Sequence, residues 1–225
     1  MIKGCLFDLD GVIVDTAKYH YIAWRRLAAH LGFAFSEADN ERLKGVSRMA
    51  SLDILLSVGG MQDRFMPVEK EAMAAEKNDN YVELISKMTP EEILPGAAEF
   101  LTALRTAGIK VALGSASKNA PTILRRLELT PMFDAVIDGT KVHRAKPHPE
   151  VFLKGAEALG LQPAECVVFE DAQAGVEAAH AGGMRCVGIG SPEILTKADM
   201  VVAGLHEMTI ERLQQLETIN IKNTH

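Results

Sequence analysis

Six short apolar runs, each bounded by Gly, Asp or Ser, constrain this chain most. They are Lys3–Leu9, Ile109–Gly114, Ala135–Asp138, Cys166–Glu170, Arg185–Ile189 and Met200–Val202. Continuous rather than alternating hydrophobicity marks strands buried on both faces, as in a parallel sheet. Helical patterns lie between them at Ala97–Ala107, Pro149–Leu159 and Gln173–Ala181, followed by Gly108, Gly160 and Gly182. A glycine after the last periodic residue is a helix stop. Strand and helix alternate from about residue 95 onward, which predicts an α/β sheet with helices on both faces.

Residues 16–88 break that rhythm, because they contain no convincing strand run. Ala17–Leu31 carries Trp24, Leu27, Ala28 and Leu31 at helical spacing. Ser36 and Asp39 form a capping-box pattern with Asp in place of Glu. Helical patterns follow at Ser51–Leu56 and from Pro67 to Lys87, with Pro67 suited to a first turn. The economical organisation is a core of residues 1–15 and 89–225 with an all-helical cap, 16–88, inserted after the first strand.

A length of 225 residues leaves room for a sizeable core, and a net charge of −6 argues against general nucleic-acid binding. No apolar run approaches the roughly 18 residues of a membrane span. Asp8 and Asp10 interrupt the first apolar stretch too early for a signal peptide. Cys5, Cys166 and Cys186 sit in strand-like apolar runs and read as buried thiols, so the cytoplasm is the expected compartment. With no heptad pattern, a monomer is expected.

Four strand-to-helix junctions carry chemistry. Phe7-Asp8-Leu9-Asp10-Gly11 puts two carboxylates at a strand end, the edge where ligands bind in parallel sheets. Val168-Phe169-Glu170-Asp171 puts two more at another, so Asp8 and Asp171 could share a Mg²⁺. Gly114-Ser115-Ala116-Ser117-Lys118-Asn119 offers hydroxyls and backbone N–H groups to a phosphate oxygen. Lys146, extended before Pro147, can offset carboxylate repulsion. Each signal alone has a plainer reading: turn-forming Asp, helix-capping Ser, solvated Lys. Gly188-Ile189-Gly190 lacks the third glycine of a dinucleotide fingerprint. The histidines other than His20 form no spaced metal motif.

The order DxD, Ser, Lys, ED over almost the whole chain resembles the haloacid dehalogenase superfamily of phosphotransferases. The resemblance implies a Rossmann-like core with a helical cap of the family's first type. It implies Asp8 as nucleophile forming an aspartyl-phosphate, and Asp10 as general acid/base whose carbonyl contributes to the metal site. Ser115 and Lys146 would hold the transferring phosphoryl group. Asp8, Asp10, Glu170 and Asp171 would hold Mg²⁺. An acid at position 10 favours phosphoryl transfer over carbon–halogen or carbon–phosphorus cleavage.

Within the superfamily the resemblance runs to the phosphosugar mutases, on His20 and Trp24, Lys44 to Arg48 with Ser51, Lys77 to Tyr81, and Ser115 to Asn119. It implies that Arg48 grips the phosphate not being transferred, with Ala116, Ser117, Lys118 and Asn119 on the core side. Lys44, Gly45, Val46 and Ser51 would line the sugar, and Thr16, His20 and Lys77 would couple cap closure to Asp10. Trp24 would pack at the closing edge. The plainer reading makes Trp24 cap core and Arg48 a surface charge. The expected reaction converts β-D-glucose 1-phosphate to glucose 6-phosphate through β-glucose 1,6-bisphosphate. The alternatives are a magnesium-dependent sugar-phosphate phosphatase and a non-catalytic phosphate-binding regulator. Ala172, where many relatives have Ser, departs from the pattern, as does Met49.

Overall fold

The computed structural model describes residues 1–43 and 48–218. It divides into two compact units: Met1–Asp15 with Met88–His225, and Thr16–Lys87. Strand β1 (Gly4–Phe7) opens the first unit. The second holds helices α1 (Ala17–His30), α2 (Glu37–Glu41), α3 (Arg48–Val58) and α4 (Pro67–Ile85). The chain then returns through α5 (Ala97–Thr106), β2 (Lys110–Gly114), α6 (Ala120–Arg126), β3 (Ala135–Ile137) and α7 (Glu150–Leu159). It ends with β4 (Cys166–Glu170), α8 (Gln173–Ala181), β5 (Arg185–Ile189), β6 (Met200–Val202) and α9 (Ile210–Gln215).

All strand pairs are parallel, in the order β3-β2-β1-β4-β5-β6. The pleat sorts the core into two faces. Leu6, Ala112 and Val168 face a cluster with Val151, Phe152, Val176 and Ala179 from α7 and α8. On the other face Phe7 stacks on Phe169 at 4.6 Å, and Phe100 of α5 meets both rings edge-on. Burying such rings contributes roughly 1.5–3 kcal/mol each. Cys5, Cys166 and Cys186 are free and buried, and burial raises their thiols.

The strands match the apolar runs to within two residues. The stop of α8 falls where expected, at Ala181 with Gly182 as its C-cap. Gly182 is right-handed, and Gly183 at φ 74° makes the left-handed turn, donating to the His180 carbonyl.

In the helical unit, α1, α3 and α4 enclose Trp24, Leu27, Leu52, Leu55 and Ala74. The capping box forms: Ser36 Oγ accepts from the Asp39 amide while Asp39 accepts from the Ser36 amide. Helix α3 starts at Arg48 rather than Ser51. Helix α4 ends at Ile85, two residues short of the expected limit. Among the described residues, no helix is long and apolar enough to cross a membrane.

Candidate active site

Register builds the site. Phe7 pairs with Leu113 on one side and Phe169 on the other, so β1 ends between β2 and β4. The Asp8 amide continues the ladder by donating to the Phe169 carbonyl at 2.9 Å. The next residues along the three strands are Asp8, Gly114-Ser115 and Glu170-Asp171. A parallel sheet thus delivers groups more than 160 positions apart in sequence to one edge.

Lys146 ties this edge together. Its Nζ donates to Asp8 Oδ1 at 2.5 Å and to Glu170 Oε1. It also sits 4.9 Å from the centroid of the Phe152 ring. Burial alone would lower the Lys146 amine, but Asp8 and Glu170 outweigh it and hold it above the usual lysine range. The lysine is therefore a fixed cation. The loop carrying it is held by Glu150, whose carboxylate accepts from the His143 and Arg144 amides. The Glu150 carboxyl is held down to about 2, chiefly by Lys154.

The acids crowd one another. One oxygen from each of Asp8, Glu170 and Asp171 lies within 4.8 Å of the others. Glu170 is fully buried, and burial first, then Asp8, raises its carboxyl despite Lys146. The Asp171 carboxyl is pushed up to about 7, by partial desolvation first and then by Glu170, Asp8 and Asp10. Asp171 keeps solvent access, so repulsion between carboxylates is the part a cation would relieve. An all-oxygen donor set with uncompensated negative charge suits a hard divalent cation such as Mg²⁺. The Asp10 side chain is not a member of this group. Gly11 stands at φ 73°, and the Asp171 carboxylate lies where a Cβ at Gly11 would project.

The phosphate-loop candidates lie after β2. The Ser115 amide donates to the Ile137 carbonyl, and Ser115 Oγ accepts from the Ser117 amide. Ser117 Oγ accepts from the Asn119 amide, fixing the turn into α6. The Gly139 amide donates to the Ser117 carbonyl. Ser115 is buried, whereas Ala116 and Lys118 are exposed and Ser117 and Asn119 half-buried.

In the helical unit, His20 Nδ1 accepts from Lys77 Nζ at 2.8 Å, and the His20 ring stacks on Tyr81 at 4.1 Å. Lys77 lies 4.7 Å from the Trp24 centroid, and Trp24 itself is buried in the unit's apolar core. Burial first, then the Arg48 charge, lowers the Lys77 amine to about 7. Thr16 and Ser51 are buried, and the Thr16 carbonyl accepts from the His20 amide. Arg48 is exposed and donates to Asn78 Oδ1 at 2.8 Å. Lys44, Gly45 and Val46 lie outside the described residues. Sequence reading gave no role to Asn78, Tyr81, Phe152 or Glu150. Only Tyr81, four residues after Lys77, carried a local signal.

A family model described as haloacid dehalogenase-like hydrolase matches residues 2–183. The chain is 43% identical over 214 residues, 95% of each sequence, to Beta-phosphoglucomutase of Bacillus subtilis strain 168. It is 33% identical over 186 residues to Phosphorylated carbohydrates phosphatase of Thermotoga maritima, covering 82% of this chain and 83% of that one. It is similar to the crystal structure of beta-phosphoglucomutase from Clostridium difficile, with TM-score 0.86, 45% identity and 96% of each chain covered. The chain belongs to the haloacid dehalogenase-like hydrolase family.

Proposed function

We propose that the chain interconverts β-D-glucose 1-phosphate and glucose 6-phosphate. The observation that carries this reading is near-full-length similarity, in sequence and in structure, to proteins named beta-phosphoglucomutase. The strand-end geometry supplies the chemistry. Asp8 carries a phosphoryl group as an aspartyl-phosphate. The sugar 6-hydroxyl attacks phosphorus, its proton passes to Asp10, and the Asp8–phosphorus bond breaks. The resulting β-glucose 1,6-bisphosphate reorients. Asp8 then attacks the 1-phosphate, the bond to the C1 oxygen breaks, and Asp10 returns the proton to that oxygen. Glucose 6-phosphate leaves and the phosphorylated enzyme is restored.

Lys146 supports these steps as a fixed positive charge against the Asp8 carboxylate. Asp8, Glu170 and Asp171, with the Asp10 carbonyl, are the groups assigned to Mg²⁺. That ion supplies charge neutralisation for the transferring phosphoryl group. Ser115 is assigned to the transferring phosphate, and Ser117, Lys118 and Asn119 with the Ala116 backbone to the other. From the helical unit, Arg48 is assigned to the phosphate at rest, and Ser51, Lys44, Gly45 and Val46 to the sugar. Thr16, His20 and Lys77 are assigned to posture Asp10, with Trp24 beneath Lys77. The partners are small sugar phosphates rather than nucleic acid or membrane, and we assign a cytoplasmic monomer.

A ³¹P NMR time course with β-glucose 1-phosphate, Mg²⁺ and a trace of β-glucose 1,6-bisphosphate tests the reading. Glucose 6-phosphate should accumulate with little inorganic phosphate. Inorganic phosphate as the main product would replace this reading with a sugar-phosphate phosphatase, the activity named in the Thermotoga maritima relative.

A further inference from the structure

Gly175 occupies a position that has no backbone need for glycine. It is the third residue of α8 and is not among the residues with positive φ. Glycine inside a helix is disfavoured, so a side-chain neighbour must account for it. That neighbour is Glu170. A Cβ built on Gly175 would stand 1.9 Å from Glu170 Cδ and 2.0 Å from Oε1. Other glycines of the core, such as Gly155 against Leu6 and Gly188 against Leu195, face apolar side chains.

Glu170 cannot yield harmlessly. Its Oε1 accepts from Lys146, its Oε2 accepts from the Ala172 amide at 3.0 Å, and its side chain is 1% exposed. The carboxylate is folded back over the first turn of α8, pinned at both oxygens. A methyl at position 175 has one cheap escape, which is to push that carboxylate away from Lys146, Asp8 and Asp171.

We propose that Gly175 is a positioning residue: its missing side chain is the space that lets Glu170 hold Lys146 and present an oxygen to the metal-binding acids. The inference rests on the assignment of Glu170 to that site and not on which sugar is the substrate.

The test is a double-mutant cycle of Gly175→Ala and Glu170→Ala, read by calorimetric Mg²⁺ binding and by kcat and KM. Gly175→Ala should weaken Mg²⁺ binding about 10-fold or more, the scale of lost support around metal ligands. It should lower kcat more than it raises KM. Alanine at 170 removes Cδ, Oε1 and Cγ, the three atoms that a Cβ on Gly175 would meet, the last at 2.5 Å. In the Glu170→Ala background, whose own Mg²⁺ affinity is the reference, Gly175→Ala should therefore cost less than about 2-fold further, an interaction between neighbours that additivity excludes. Unchanged Mg²⁺ affinity in Gly175→Ala, with the higher melting temperature that alanine brings to a helix, would overturn the proposal. So would equal losses in both backgrounds. Should Gly175→Ala fail to fold, the double variant should recover a cooperative melt, and its failure to do so would also overturn it. Because Mg²⁺ binding is read directly, a protein that proves to be a phosphatase leaves the result intact.

Discussion

At the scale of single residues, Lys146 and Arg48 do different work with the same sign of charge. Lys146 stands between two buried carboxylates, so replacing it removes their shared partner. Lys146→Met should lower turnover about 10²–10³-fold, the range for losing one preorganised electrostatic group. The same variant should bind Mg²⁺ more tightly above pH 8, since Asp8 and Glu170 then repel without compensation. Calorimetry and steady-state rates separate the two effects, and weaker Mg²⁺ binding would count against a purely charge-balancing lysine. Arg48 is exposed and donates a hydrogen bond to Asn78. Arg48→Ala should cost only about 1 kcal/mol of stability. It should reduce mutase turnover at least about 10-fold more than hydrolysis of a small aryl phosphate, which carries no second phosphate. Equal losses in the two assays would remove Arg48 from phosphate binding.

At the scale of elements, α1 and α4 share a partly buried titratable pair, His20 and Lys77, with a defined pH signature. Burial, then Lys77 and Arg48, hold the His20 ring down to about 3, against an ordinary 6.5. Lys77 is held at about 7 against an ordinary 10.5. Between pH 7 and 10.5 the unfolded chain binds a proton at Lys77 that the folded chain does not, so stability rises with pH there. His20 adds a similar rise between pH 3 and 6.5. The Lys77 contribution approaches about 1.4 kcal/mol per pH unit. Trp24 is the one tryptophan in the chain and lies 4.7 Å from Lys77, so its fluorescence reports on this unit. Urea midpoints read that way should climb from pH 7 to 10 in the unmodified protein. Lys77→Met should be more stable at pH 7 and should lose most of that climb. A constant offset between the two proteins across pH would mean that Lys77 does not titrate there.

The elements also show what sequence reading could reach. Buried parallel strands announce themselves as apolar runs, and the acids that end them are visible because a carboxylate cannot continue such a run. The Ser36–Asp39 box was legible because its partners are three residues apart. Contacts that cross between elements were not. Lys77 reaches His20 across 57 positions and Arg48 reaches Asn78 across 30, distances at which no local period operates. Gly175 was silent for the same reason: a helix pattern tolerates a glycine without revealing which side chain fills its space.

On the scale of the whole molecule, the insertion is closed off within the sheet-bearing unit. The Leu94 amide donates to the Ile13 carbonyl at 2.9 Å, and Val14 bridges antiparallel to Ile93. The chain entering the helical unit and the chain leaving it are thus stitched side by side, and the sheet and both its apolar faces are built from residues outside Thr16–Lys87. A short flexible linker in place of Thr16–Lys87 spans joined ends, and closing a small loop costs little entropy. Such a protein should melt cooperatively and bind Mg²⁺ through Asp8, Glu170 and Asp171. It should hydrolyse a small aryl phosphate within about 10-fold of the full chain. Mutase turnover should fall below detection, because the phosphate grip proposed for Arg48 is gone. Assays of both activities on the shortened chain check this. Retained mutase turnover would mean that the sheet edge alone handles both phosphates. Loss of both activities in a folded, Mg²⁺-binding protein would mean that the helical unit is needed for the chemical step itself.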